Sequence, residues 1–194
     1  MNSGIQPPEW RQWHLPLSAG EITLGEGLAN LARVGAAPDE IPLVVQLVEN
    51  PRFDIPGFDL FHGAVDLRAH DCIHLLLGRG LLAKDEAFVI GFTMGSTQRV
   101  SAVEERLFTL IARHLYPGIY RFTAEDAEVF RDALRLGMVS RSRRLDRIPY
   151  DRYHGRSLDA LRREFGIETG LLRAYYDIEA RRYPMSPESR RLRD

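Results

Sequence analysis

Apolar residues in this chain recur at helical spacing in stretch after stretch, broken by Gly and Pro, and nowhere show sustained two-residue alternation. That pattern restricts the chain to an all-α fold. Leu24, Leu28 and Leu31 mark one stripe within residues 21–34, and Gly35 and Pro38 punctuate its end. A second helix is predicted over 39–49, with Pro42 in its first turn and Asn50-Pro51 closing it. After Pro56-Gly57, helices over 65–77 and 83–94 flank Gly78-Arg79-Gly80, which makes a helical hairpin. Ser101 with Glu104 reads as a capping box for a helix to about His114. Following the Pro117-Gly118 turn, Thr123 caps a helix ending before Gly137, and Ser157 caps another through Phe165. A last helix spans 168–181. The expectation is a single-domain bundle of about seven to eight helices, since 194 residues suffice for one substantial core and are short for two. Residues 1–20 form an N-terminal arm, 21–183 the helical domain, and 184–194 a polar, flexible tail.

One stretch carries the chemistry. His70-Asp71-Cys72-Ile73-His74 is followed, after eleven residues, by Glu86. On a helix, His70 and His74 are four apart and Asp71 and His74 three apart, so the three side chains fan across roughly 100° of one face. Cys72 falls about 200° from His70, on the far side. An antiparallel return brings Glu86, in the first turn of the second arm, back beside His74, where its carboxylate also favours the positive helix end. Two imidazoles and two carboxylates suit Zn, Fe or Mn and poorly suit Cu(I) or an iron-sulfur cluster. An accidental recurrence of hydrogen-bonded histidines is the competing reading.

Composition narrows the partners. The formal net charge of −1 and pI near 6.6 give no global basic field, so nucleic acid is not expected. Cys72 is the only cysteine and no basic-then-apolar leader opens the chain, which points to a reducing cytoplasm. The most apolar stretches, 41–48 and 87–92, fall far below the roughly 20 residues that span a bilayer. Peripheral contact with an inner membrane stays open.

The spacing His-Asp-x-x-His, eleven residues, Glu resembles the signature of the ubiquinone (coenzyme Q) biosynthesis family called coenzyme Q biosynthesis protein four. Leu76-Leu77-Gly78 looks like that family's Leu-x-Gly segment. Ser157-Leu158-Asp159-Ala160-Leu161-Arg162-Arg163-Glu164-Phe165-Gly166-Ile167 is similar to its C-terminal Pro/Ser-Leu-x-x-Leu-Arg-x-Glu-Leu-Gly-Ile motif. The chain departs from the pattern in carrying Arg79-Gly80 where the family places a Pro-containing turn, and in adding a helix after Gly-Ile. It shows no mitochondrial presequence, as a bacterial member requires. The resemblance implies an all-α protein holding a divalent metal, with zinc foremost and iron or manganese as alternatives, through His70, Asp71, His74 and Glu86. It also implies a polyprenylated quinone precursor as ligand. The implied activity is a metal-dependent decarboxylase (lyase) reaction at ring C1, in which carboxylate is replaced by hydroxyl. A scaffold for other ubiquinone biosynthesis proteins is the alternative. His70, His74 and Glu86 are the expected ligands, and Asp71 is either a fourth or the acceptor that orients an imidazole.

Other residues admit plainer readings. Cys72 reads as a buried structural thiol. His62, eight residues before His70, is a candidate to support a metal ligand from behind or to meet substrate, while His14, His114 and His154 stand apart from helical-spacing partners. Arg141, Arg143 and Arg144 could clamp a carboxylate or phosphate but suit a solvated linker better. Trp10 and Trp13 fit a membrane interface, packing of the arm onto the domain, or a homodimer contact. The runs 75–77, 81–82 and 88–92 fit either ordinary core or the lining of a prenyl tunnel. His70-Asp71 also suggests a His-Asp type metal phosphohydrolase, but that class needs a further upstream His and a distant Asp and gives no reason for Glu86.

Overall fold

Polar caps decide where the helices begin. The computed structural model describes residues 9–34, 63, 65–114 and 121–193. A single turn, α1 (Glu9–Gln12), precedes α2 (Leu24–Val34). Thr23 and Glu26 exchange hydrogen bonds, Thr23 N–H to Glu26 Oε2 at 2.8 Å and Glu26 N–H to Thr23 Oγ1 at 3.2 Å. This capping box starts α2 at Leu24, three residues later than the apolar stripe alone suggests. Asp66 caps α3 (Leu67–Leu77) by accepting from Ala69 N–H at 2.7 Å. Gly78 ends α3 in the left-handed conformation, φ 66°, with its N–H returned to the His74 carbonyl.

The second arm of the hairpin is α4 (Ala83–Ser96), where the Asp85 carboxylate reaches back to Leu82 N–H at 3.2 Å. Reciprocal bonds between Ser101 and Glu104 open α5 (Ala102–His114), as the sequence predicts. Thr123 and Asp126 do the same for α6 (Ala124–Val139). Two 3-10 turns, Leu145–Arg147 and Tyr150–Arg152, lead to α7 (Leu158–Phe165), capped by Ser157 and ended by Gly166. Then follow α8 (Thr169–Arg182), the short α9 (Pro187–Arg190) and a last 3-10 turn, Arg191–Arg193. No strand forms among the described residues; residues 22–25 and 154–158 meet in one isolated antiparallel bridge at Thr23 and Ser157. The all-α expectation is met. The helix expected over 39–49 and the turns at Gly35 to Pro38, Asn50-Pro51, Pro56-Gly57 and Pro117-Gly118 lie outside the described residues.

Helix α4 is the centre of the fold. Every residue from 84 to 96 except Ile90 is buried, so it has no solvated face. Phe88 and Phe92 join a core with Leu75 to Leu77 of α3, Leu161 and Phe165 of α7 and Tyr176 of α8. Ala87 and Met94 join a second cluster with Phe108 of α5 and Phe130 of α6. Contact between α4 and α6 is backbone on backbone. A Cβ at Gly91 would stand 2.4 Å from the Phe130 carbonyl oxygen, one at Gly95 2.1 Å from that of Leu134, and one at Gly137 2.4 Å from that of Phe92. Gly137 therefore sits inside α6, which runs on to Val139 and does not stop before it; the glycine serves close approach, not termination.

Both ends of the described chain pack inward. Trp10 and Trp13 are 4% and 6% exposed, and Trp13 donates to Asn30 Oδ1 at 2.8 Å, so the arm packs onto the domain. Residues after Pro184, expected as a polar, flexible tail, fold back: Leu192 enters the main core and Ser189 is fully buried. Arg191 pairs with Asp85 of α4, and Ser189 Oγ donates to Glu179 at 2.9 Å. Composition hides this because, Leu192 apart, the residues that anchor the segment are polar. Among the described residues, no helix is long and apolar enough to cross a membrane.

Candidate metal centre

His70 and His74 are one helical turn apart on α3, and the Gly78 to Gly80 turn returns the chain so that Glu86, in the first turn of α4, faces them. His70 Nε2 lies 2.8 Å from Glu86 Oε2, His74 Nε2 3.3 Å from Glu86 Oε1, and the two imidazole Nε2 atoms 2.9 Å apart. Each of the three residues offers one ligand atom, and these atoms lie within 4.8 Å of one another. The His74 side chain is fully buried, and those of His70 and Glu86 are 11% and 9% exposed.

The donor set fits a divalent cation. Two ligand atoms each about 2.1 Å from one ion, at right or tetrahedral angles, are separated by about 3.0–3.4 Å, close to the spacings present. Two imidazole nitrogens and a carboxylate match the preference of Zn, Fe or Mn. Without a cation or proton between them, the two Nε2 lone pairs would face each other.

A backbone group fixes the tautomer of His74. Its Nδ1–H donates to the Gly80 carbonyl at 2.7 Å, which leaves the Nε2 lone pair directed at the cluster. Gly80 is packed too tightly for a side chain; a Cβ there would stand 2.6 Å from the Trp13 carbonyl oxygen. Electrostatics reinforce the geometry. Burial alone would raise the Glu86 carboxyl, but His74 and His70 outweigh it and hold the group well below the usual carboxylate range. Burial opposes charge on His74, and the neighbouring Glu86 carboxylate overcomes it and raises the imidazole.

Asp71 is brought near the cluster but not into it. Its carboxylate is absent from the converging ligand atoms, and the partner that orients His74 is the Gly80 carbonyl instead. Burial raises the Asp71 carboxyl, against the opposing pull of His74 and His70. Cys72 is fully buried in the core, and burial pushes its thiol up to about 12, the behaviour of an inert structural cysteine. His62 lies outside the described residues. His14 Nε2 contacts the Gly78 carbonyl at 3.1 Å, and His154 pairs with Arg68 at 2.9 Å. Arg144 forks onto Asp146 and Arg141 is 87% exposed beside Glu168, the solvated-linker arrangement. Leu75 to Leu77, Phe88 and Phe92 are core residues, with Phe88 against Phe92, Tyr175 and Tyr176.

Sequence reasoning misses the groups that hold α3 from behind. Buried Arg162 donates to the carbonyls of Leu76 (2.9 Å), Leu75 (3.1 Å) and Leu17 (2.9 Å), and Tyr176 donates to that of Leu77 at 2.5 Å. Those of Leu75, Leu76 and Leu77 are carbonyls that the end of α3 leaves unbonded. Arg79, in the hairpin turn, forks onto Glu179 of α8 and lies over the rings of Phe88 and Tyr176 at 3.9 and 4.4 Å. Arg162 sits within the 157–167 segment, so its motif is visible in the sequence while its target is not. The chain matches no family model, no curated protein and no solved structure.

Proposed function

We propose that this chain is a divalent-metal enzyme of ubiquinone biosynthesis acting at C1 of a polyprenylated ring precursor. The observation that supports the reading is the convergence of His70, His74 and Glu86 in a buried cluster of the hairpin. The similarity of the two separated segments, 70–86 and 157–167, to the ubiquinone family supports the pathway. In the reaction, the ring carboxylic acid, dioxygen and two electrons with two protons from an external reductant give a phenol, carbon dioxide and water. The C1–carboxyl bond breaks and a C1–oxygen bond forms.

His70, His74 and Glu86 would hold the ion. When bound, a divalent ion supplies Lewis acidity toward the ring carboxylate and, if it is iron or manganese, redox capacity. The residues do the rest. Glu86 stays ionised across the physiological range, so two neutral imidazoles and one carboxylate leave a divalent site with a net positive charge for an anionic substrate. Hydrogen bonding to Gly80 keeps His74 in one tautomer. Burial of the three side chains limits competition from bulk water.

The test is replacement of the native C1-processing step in cells that lack it. Wild-type protein should restore ubiquinone, and Glu86→Gln at equal expression should restore it at least about tenfold to a hundredfold less, since loss of a group that merely supports a ligand already costs that much. Full restoration by Glu86→Gln would sink the catalytic reading and favour a non-catalytic lipid-binding scaffold. Organic extraction of the purified protein should yield a prenylated aromatic acid, which identifies the substrate class directly.

A further inference from the structure

Arg191, near the C-terminus, touches the hairpin at two places that set the geometry of the candidate ligands. Its Nη2 donates to Asp85 Oδ2, and the same nitrogen is the nearest atom to where a Cβ at Gly80 would stand. Asp85 immediately precedes Glu86, and its Oδ2 also accepts Leu82 N–H at 3.2 Å, which fixes the first turn of α4. Gly80 supplies the carbonyl that orients His74. The Asp85 side chain is fully buried, so its charge needs a partner. Arg79 Nη1 stands 3.9 Å from Asp85 Oδ1, but both terminal nitrogens of Arg79 are bonded to Glu179, at 3.0 and 2.5 Å. Asp85 Oδ1 makes no hydrogen bond among the described residues, so the carboxylate depends on what its Oδ2 receives. The cation it receives is Arg191, held in place by Leu192 in the core and by Ser189 on Glu179.

We infer that Arg191 is a positioning residue for the metal centre: by neutralising Asp85 beside Gly80, it keeps Glu86 and His74 converged on a divalent cation. This role rests on the metal-centre reading and not on the reaction proposed there. Arg191 lies outside both segments, 70–86 and 157–167, that resemble the ubiquinone family, so the resemblance gives it no part. Without Arg191 a buried carboxylate loses its counter-charge, and the first turn of α4 relaxes toward water and carries Glu86 with it. The sign of the effect separates positioning from a simple field. A guanidinium that acted only through its charge would repel a divalent cation, and its removal would tighten binding. Positioning predicts the opposite, weaker binding once Arg191 is gone.

Zinc affinity of the full chain, measured by competition with a chromophoric chelator, tests the role. Arg191→Gln should bind zinc about tenfold more weakly than wild type, the lower end of what removal of a group supporting a ligand costs. Asp85→Asn keeps an acceptor for Leu82 N–H and removes the uncompensated charge, so Arg191→Gln combined with Asp85→Asn should regain most of the wild-type affinity. A mere loosening of the C-terminal segment would not be repaired in this way. Zinc affinity of Arg191→Gln equal to or above wild type would overturn the inference, and so would a double variant no better than Arg191→Gln. If Arg191→Gln alone does not fold, the comparison moves to the Asp85→Asn background, where adding Arg191→Gln should change affinity by less than about twofold. A loss of about tenfold in that background would also overturn it, because the two residues would then act independently. Wild-type protein that binds no zinc would overturn the metal centre and this role with it, whereas tight binding by wild type and Arg191→Gln alike overturns the role alone.

Discussion

His74 shows how much a single side chain depends on its surroundings. Its Nε2 faces Glu86 and His70, its Nδ1 is tied to the Gly80 carbonyl, and its own carbonyl receives the N–H of Gly78 and Arg79. The ligand positions are legible in the sequence because i, i+4 spacing and a glycine stop are enough to bring three side chains together. Two details are not. Asp71 lies at helical spacing from both histidines, yet the Gly80 carbonyl takes the orienting role, and a backbone acceptor leaves no trace in residue identities. Arg162 is equally hidden, because its acceptors are carbonyls 86 and 87 residues away. Removing this guanidinium leaves the carbonyls of Leu75, Leu76 and Leu17 buried without their donor, so Arg162→Ala should lower stability by about 3–5 kcal/mol in urea titration. Arg162→Lys should recover only part of it, since an ammonium lacks the planar fork that spans three acceptors. A loss of under about 1 kcal/mol for Arg162→Ala would show that water replaces the bonds and that α3 is held by other means.

At the scale of elements, caps are the most readable part of the chain and close crossings the least. Ser101, Thr123 and Ser157 each cap the helix their sequence context predicts, because a cap is a local interaction between neighbours. Thr23 with Glu26 carries the same signature and refines the start of α2. Gly137 misleads, since a glycine near a helix end can mean either a stop or a close approach, and only the path of α4 decides. The crossing gives a paired expectation. Gly95→Ala drives a methyl into the Leu134 carbonyl oxygen and should cost about 2–3 kcal/mol or more. Gly170→Ala, in α8 with nothing within 4 Å of the new Cβ, should stabilise by about 0.5–1 kcal/mol through helix propensity. Thermal unfolding of the two variants checks both signs. Similar effects at the two positions would mean that α4 and α6 do not approach as described.

Across the whole molecule, the hairpin is braced by segments far from it in sequence. Arg162 and Tyr176 hold the end of α3, Glu179 holds Arg79 in the turn, and Arg191 pairs with Asp85, the residue beside Glu86. The all-α architecture follows from periodicity, but this bracing does not, since it is built from buried polar side chains in segments that read as surface. The C-terminal segment is the clearest instance: its composition is that of a tail, and its Leu192, Ser189 and Arg191 are part of the packed domain. A metal ion would complete the arrangement by joining the two arms of the hairpin at the cluster of His70, His74 and Glu86.

Elemental analysis of protein purified without chelators tests that claim most directly. About one divalent ion per chain is expected, as a site with its ligand atoms already converged would retain. The ion should be lost in His74→Ala and Glu86→Ala and kept in Cys72→Ala and Asp71→Asn. Wild-type protein that stays metal-free even after incubation with zinc, iron(II) or manganese(II), or a His74→Ala variant that retains the full complement, would contradict it.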